Sequence, residues 1–446
     1  MSAAVGEWLR ASRVYLEPRV LVVLFLGFAS GLPLLLTLST LTFWLAEAEI
    51  DKAAIGLFAL VGLPYTWKFL WSPVIDRVPL PVLTRLLGRR RGWLVLVQLL
   101  LILAILALGA SDPRADLGRM ALFAVLVAFL SASQDIVIDA YRVELLEERQ
   151  QGAGAAMVVI GYRVAMLLAG AGALVIAEFA GWFWAYAAMA GCLGLGILTV
   201  LLAPEPAVPA LAAMPAAAGA GAWLRTAVVE PFADFFRRNG AGTALLILLF
   251  IMLYKLGDAL LGTMTNPFYV ELGFTKPEVA TIVKGYGLVA TLVGGFLGGV
   301  IVNRRGIVPA LWICGIVQLL SNLVFVLQAW VGRDLTMLAV TISVENLAGG
   351  MGTAAFVAYL SSLCNLAFTA TQYALLSSFM AQARTTLSAG GGYLADAMDW
   401  VGFFLTTTAA AVPGLLLLLL LQRRIAGAMR PEAPRAGPTG AGVEPA

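Results

Sequence analysis

Two carboxylates, Asp135 and Asp139, stand one helical turn apart in Ser131-Ala-Ser-Gln-Asp-Ile-Val-Ile-Asp-Ala-Tyr-Arg142, inside an apolar stretch that begins at Met120. The i, i+4 spacing stacks them on one face of a helix with Ser131 a turn above, which makes a polar stripe on an apolar rod. The same contrast recurs at Lys68, Arg163, Lys255, Asp258, Lys284, Glu345 and Arg384, all well inside hydrophobic segments. An ionisable group at bilayer depth costs about 2.5–3.5 kcal/mol on insertion scales and turns toward a bundle interior, a partner charge or a water-filled path. Structural ion pairs are the plain explanation, and Lys255 and Asp258, three residues apart, could satisfy each other. The nine together are a large cost for helix register alone.

The chemistry open to these groups is proton and anion binding. A buried carboxylate near a cation can take up and release a proton, which makes Asp135, Asp139, Asp258 and Glu345 the candidates for proton coupling. Asp139 lies close to Arg142 near the end of its segment, where a salt bridge is the simpler role, so Asp135, Asp258 and Glu345 rank first by depth. The excess of cations suits a ligand bearing carboxylates: Arg163 and Arg384 could grip one bidentately, with Lys68, Lys255 and Lys284 as point charges. Gln134, Tyr162, Tyr254 and Asn346, beside these charges, suit sugar hydroxyls and ring faces, although aromatics at helical spacing are more often packing. Histidine is absent and Cys192, Cys314 and Cys364 are widely separated, so neither a metal site, a disulfide framework nor a cofactor is expected.

The elements that must position these groups are membrane spans. The 446 residues are 61% hydrophobic and 12% charged, with a net charge of +3 spread over segment ends, so nucleic-acid binding is unsupported. Runs long enough for a bilayer core of about 30 Å fall at Val20–Ala46, Ala53–Ile75, Trp93–Ala110, Met120–Ala140, Gly154–Ala177 and Trp182–Ala203. After a Pro- and Ala-rich stretch, a second set falls at Thr243–Val270, Val279–Val302, Val308–Val331, Leu335–Leu363, Tyr373–Ala395 and Val401–Gln422. The expectation is an all-α membrane protein with twelve transmembrane helices in two six-helix bundles, 1–203 and 241–422. A cytoplasmic linker, 204–240, carries an amphipathic helix over Trp223–Arg238, and the tail 423–446 is expected to be disordered. Basic residues in alternate loops place both termini inside. Gly27 with Gly31, and Gly294 with Gly298, are small-xxx-small faces for close helix packing. Glu144, Glu147 and Glu148 read as a solvated helix end.

Loops after the second and eighth runs repeat a pattern: Ser72-Pro-Val-Ile-Asp76-Arg77 and Gly299-Val-Ile-Val-Asn303-Arg304. Both resemble the major facilitator loop of Gly, three residues, Asp or Asn, then a basic residue. That makes Asp76, Arg77, Asn303 and Arg304 candidates for gating, beside the simpler role of anchoring helix ends in anionic headgroups. Across Val20–Leu421 the chain resembles the AmpG muropeptide permeases, a branch of the major facilitator superfamily. The carrying segments include Gly27-Phe-Ala-Ser-Gly-Leu-Pro-Leu34, Lys68-Phe-Leu-Trp-Ser-Pro73, Ser131 to Asp139, Gly161-Tyr-Arg163, Tyr254-Lys-Leu-Gly-Asp-Ala259, Glu345-Asn-Leu-Ala-Gly-Gly-Met-Gly-Thr353 and Thr369-Ala-Thr-Gln-Tyr-Ala-Leu-Leu376. It departs from the family in the polar Phe379–Ser388 and the Ala-rich linker.

The resemblance implies the major facilitator fold and proton-driven import of N-acetylglucosaminyl-1,6-anhydro-N-acetylmuramyl peptides across a bacterial inner membrane, for peptidoglycan recycling and beta-lactamase control. The partners expected are then a small glycopeptide, protons and the lipid bilayer, with the chain acting as a monomer. A carrier for another bulky anion such as an acyl-CoA is the near alternative. A membrane-embedded transferase is the distant one, since it would need a catalytic or metal cluster that the residue inventory does not supply.

Overall fold

The computed structural model describes residues 13–207, 229–388 and 391–428. The side chains of Lys284 and Arg384, the first part of the expected amphipathic helix and residues 429–446 of the expected tail lie outside the described residues.

The first half opens with α1 (Pro18–Thr37), started by proline at its first position, where the missing N–H costs nothing. Past a break at Leu38 the chain continues as α2 (Ser39–Glu47). Then follow α3 (Arg89–Gly109), α4 (Leu117–Leu145), α5 (Gln151–Leu167) and α6 (Trp182–Leu202). Asp116 caps α4 by accepting from the Arg119 N–H. The small-residue faces do what their spacing suggests. A Cβ at Gly31 would stand 2.4 Å from the Tyr162 carbonyl, and one at Gly161 2.1 Å from that of Leu24, so α1 and α5 meet backbone to backbone.

The linker ends in α7 (Glu230–Asn239), whose Phe235 is buried while Arg237 and Arg238 are exposed. The second half comprises α8 (Ala241–Leu253), α9 (Leu256–Glu271), α10 (Gly287–Arg305), α11 (Ile307–Val331), α12 (Leu335–Ser362), α13 (Thr369–Ser388) and α14 (Trp400–Ala428). Glycines again set the closest approach: a Cβ at Gly294 would meet the Leu347 carbonyl at 2.1 Å, which fixes α10 against α12. The last helix runs to Ala428, through the first residues of the expected tail.

Nine helices among the described residues are long and apolar enough to cross a membrane, and α12 with Leu366–Gln382, bent by 96°, passes the same test as a pair. The second run, 53–75, corrects the sequence expectation of a continuous span. It is divided into Lys52–Leu57, Phe58–Gly62, Leu63–Trp67, Lys68–Leu70 and Ser72–Arg77, alternating α and 3-10 turns. Pro64 and Pro73 each start a new turn in the place of a hydrogen bond, and Gly62 lowers the cost of the break. The apolar length of the run was legible, but the breaks set its shape.

The halves touch along α5 and α10, α5 and α12, and α4 and α13, with segment 63–77 also on α13. Val14, Tyr15, Val20, Val23, Leu146, Ala153, Ala156 and Met157 form one buried cluster with Val300 and Ala354 of the second half. Where α5 crosses α10, a Cβ on Gly299 would lie 2.8 Å from the Gly152 carbonyl.

Candidate functional site

Between the halves lies a cavity of about 510 Å³. Helix α5 of the first half contributes Arg163 to its wall; the second half contributes Lys255 and Asp258 from the α8–α9 junction, Gln318 from α11, and Glu345 and Thr353 from α12. Local structure explains how the charges come to face it. Helix α8 stops at Leu253 and α9 restarts at Leu256, so Lys255 sits in the break at φ −107°, outside helical geometry. Its Nζ is 3.2 Å from an Asp258 carboxylate oxygen and donates to Thr353 Oγ1 at 3.4 Å. Helix α12 can come this close because Gly352 has no side chain: a Cβ there would be 2.3 Å from Gln318 Oε1 and 3.4 Å from Lys255 Nζ. Glu345 accepts from Asn346 Nδ2 at 2.7 Å, and Asn346 Oδ1 accepts from Thr291 on α10 at 2.9 Å. Arg163 is exposed into this space and, among the described residues, makes no ion pair or hydrogen bond. A guanidinium so placed is ready to take a carboxylate or phosphate from a ligand.

A second charged group lies in the first half. Lys68, in the broken run, is 3.7 Å from Asp139, which is 3.9 Å from Arg142 one turn along α4. Arg142 has no exposed side-chain surface; its Nη1 donates across to Ser361 Oγ at 2.9 Å and its guanidinium lies 5.3 Å from the Tyr373 ring centre. Asp139 and Arg142 pair within α4, and through Ser361 and Tyr373 Arg142 also joins the halves. Asp135, a turn away, accepts from Ser30 Oγ at 2.5 Å and is half-buried.

The third group closes the arginine-rich end. Asp76 is buried and accepts from Arg90 Nη2 at 2.8 Å, from the Thr371 N–H and hydroxyl at 2.7 Å each, and from the Ala370 N–H at 3.3 Å. The last three belong to the first turn of α13, so a carboxylate of one half sits on a helix N-terminus of the other, where the free N–H groups and the dipole favour negative charge. Arg77 lies 5.4 Å from the ring centre of Phe368 just before that turn. Arg90 also binds Glu144, through Nε at 2.9 Å and Nη2 at 2.5 Å. This corrects the reading of Glu144 as solvated: its side chain is fully buried because α3 brings a guanidinium onto α4.

Other expected residues stand elsewhere. Tyr254 donates to the Leu311 carbonyl at 2.8 Å and stacks on Phe356 at 5.2 Å, in the packing of the second half and not at the cavity wall. Gln134 is buried and donates to the Ala29 carbonyl, binding α4 to α1. Tyr162 is half-buried beside Arg163, and Asn303 and Arg304 are half-buried at the end of α10, each engaged with neighbours. Sequence reading missed Ser30, Arg90, Gln318, Ser361 and Thr371. The one available signal was Arg90 in the basic run after Gly88; the others are ordinary polar residues whose partners are distant in sequence.

Helical halves of membrane-spanning length, with a charged cavity between them and a polar closure at one end, define a multi-pass membrane transporter. The model of the Major Facilitator Superfamily matches residues 20–381, and the chain belongs to that superfamily. It is 45% identical over 399 residues to "Anhydromuropeptide permease" of Escherichia coli (strain K12), covering 88% of this chain and 77% of that one. It is 38% identical to "Putative transporter AmpG 4" of Rickettsia conorii, covering 89% and 95% respectively. Among solved structures it is similar in fold to a double-tryptophan mutant of XylE, with a TM-score of 0.63 at 13% identity, covering 91% of this chain and 94% of that one. The human organic anion transporter MFSD10 has a TM-score of 0.61 at 18% identity, covering 92% and 99%. At such identities the likeness concerns the fold alone.

Proposed function

We propose that the chain is a proton-coupled importer of anhydro-muropeptides, N-acetylglucosaminyl-1,6-anhydro-N-acetylmuramyl peptides, working by alternating access in a bacterial inner membrane with both termini in the cytoplasm. The observation that carries this reading is the cavity with an uncommitted Arg163, in a chain close in sequence to a protein named for that substrate. In this reading Arg163 takes a carboxylate of the peptide, while Gln318 and Thr353 offer hydrogen bonds to amides or sugar hydroxyls. The described charges of the cavity, Arg163 and Lys255 against Asp258 and Glu345, balance. An anionic substrate therefore adds net negative charge to a poorly solvated space, and a proton taken by Glu345 or Asp258 would offset it. This supports co-transport of proton and anion. Asp135, held by Ser30 outside the cavity wall, would serve as a proton site in the first half.

The test is uptake of labelled anhydro-muropeptide into membrane vesicles with and without an imposed proton gradient. Accumulation that follows the gradient is expected, and its absence would remove the assignment. Asp135→Asn keeps the side-chain shape and the Ser30 contact; it should insert and fold normally while losing gradient-driven accumulation. Normal accumulation would take Asp135 out of the proton path.

A further inference from the structure

The linker between the halves is fastened at both ends to the two groups that share the Asp76 carboxylate. At its start, Glu205 accepts from the backbone N–H of Arg90 at 2.8 Å and of Arg91 at 3.0 Å, capping α3 at the residue whose side chain binds Asp76. The cap needs a glycine beside it: Gly88 has φ +91°, and a Cβ there would meet the Glu205 carboxyl at 2.4 Å. The Pro204 carbonyl next to it accepts from the Tyr141 hydroxyl at 2.5 Å, fixing the linker's first residues on α4.

At its far end, α7 grips the first turn of α13. Gln372, one residue beyond the Thr371 that binds Asp76, is buried and uses its whole amide. Its Nε2 donates to the Pro231 carbonyl and to Asp234, both at 2.9 Å, and its Oε1 accepts from the Asn365 N–H at 2.7 Å and from Arg238 Nη2 at 3.1 Å. Asp234 also accepts from Arg238 Nε at 2.9 Å and from Asn365 Nδ2 at 3.2 Å, and Arg238 donates to the Leu363 carbonyl at 3.1 Å. Phe235 anchors the helix in the core of the second half. The first turn of α13 is therefore held on one side by Asp76 from the other half and on the other side by the linker.

We propose that the linker is a brace for the closed arginine-rich end, and that Asp234, Gln372 and Glu205 are positioning residues that hold the Arg90 side chain and the α13 N-terminus where Asp76 can bind both. A linker that only tethered the halves would not need a buried glutamine with every donor and acceptor used, nor a carboxylate capping α3 at Arg90. Freeing α7 lets the 363–368 loop and the first turn of α13 drift from Asp76, and the closed state loses population. The inference rests on how the halves meet and not on the identity of the substrate.

The test is a spin-label distance across the arginine-rich end in the full chain in lipid nanodiscs, without substrate. Labels go on Leu86→Cys and Arg305→Cys, both exposed and one in each half, with Cys192, Cys314 and Cys364 replaced by alanine. Asp234→Asn is expected to raise the long-distance population about threefold to tenfold, the scale of losing hydrogen bonds to a carboxylate, and Asp76→Asn to do so at least as much. The pair together should add nothing to Asp76→Asn alone, because both act on one contact. Arg238→Gln, which leaves Asp234 in place, should repeat the Asp234→Asn result and guards against a folding defect in the first variant. Distances unchanged in Asp234→Asn and Arg238→Gln, or effects that add to that of Asp76→Asn, would overturn the brace.

Discussion

At the scale of single residues, the chain separates charges locked in buried pairs from one that faces the cavity without an ion pair. Arg90, Glu144 and Asp76 are buried and mutually paired; removing one member of such a group costs about 3–5 kcal/mol, because a partner is left charged and dry. Arg163 is the opposite case, exposed into the cavity without an ion pair or hydrogen bond among the described residues. Replacing it should spare folding and strike binding. Arg163→Lys keeps the charge but loses the planar fork, and is expected to raise the KM for anhydro-muropeptide about tenfold or more with the amount of folded protein unchanged. Transport kinetics beside a melting curve would check it, and a fall in stability with KM unchanged would reassign Arg163 to structure.

At the scale of elements, glycines and helix ends decide which surfaces meet. A Cβ at Gly299 would clash with the Tyr15 hydroxyl at 2.2 Å and the Ala156 Cβ at 2.8 Å, so Gly299→Val should wedge α5 from α10. The expected result is a loss of about 1–3 kcal/mol together with uptake. Gly194→Val on α6, where a Cβ would meet nothing within 4 Å, is the control that should change neither, as thermal unfolding and uptake measured side by side would show. The linker helix makes a pH prediction. Burial pushes the Asp234 carboxyl up, but hydrogen bonds from Gln372, Asn365 and Arg238, with the Arg238 charge, outweigh it and hold the group below its ordinary 3.8. A carboxylate with a depressed folded pKa adds stability that is present above the unfolded value and is lost as pH falls through the folded one. The melting-temperature gap between the native chain and Asp234→Asn should therefore stay constant through neutral and mildly acidic pH and shrink only below 3.8. A gap already closing near neutrality would contradict this.

At the scale of the whole molecule, the contacts between halves run through α5 with α10 and α12, α4 with α13, and the Asp76 closure. Two bundles that meet along these helices could rock about them, which is what alternating access asks of the fold. With both termini in the cytoplasm, as proposed, the closed, arginine-rich end would face the cytoplasm. Epitope tags at the two termini should both resist protease added to intact spheroplasts and both be cut after lysis. Cutting of either tag in intact cells would reverse the orientation.

What the sequence determined was inventory and depth. Hydrophobic length marked the membrane-spanning segments, the absence of histidine left carboxylates as the groups that any proton coupling would have to use, and the spacing of Gly27 with Gly31 announced a close helix contact; each of these depends on residue type and local period. Only the tertiary structure could show that Arg163 comes to face Lys255, Asp258 and Glu345, that Tyr254 and Gln134 are packing, and that Glu144 is buried under Arg90. Asp76 and Thr371 are 295 positions apart and Arg142 and Ser361 are 219 apart. No local period encodes such pairings, because they arise where the two halves of the chain meet, and it is that meeting which turns costly buried charges into a cavity with a closure at one end.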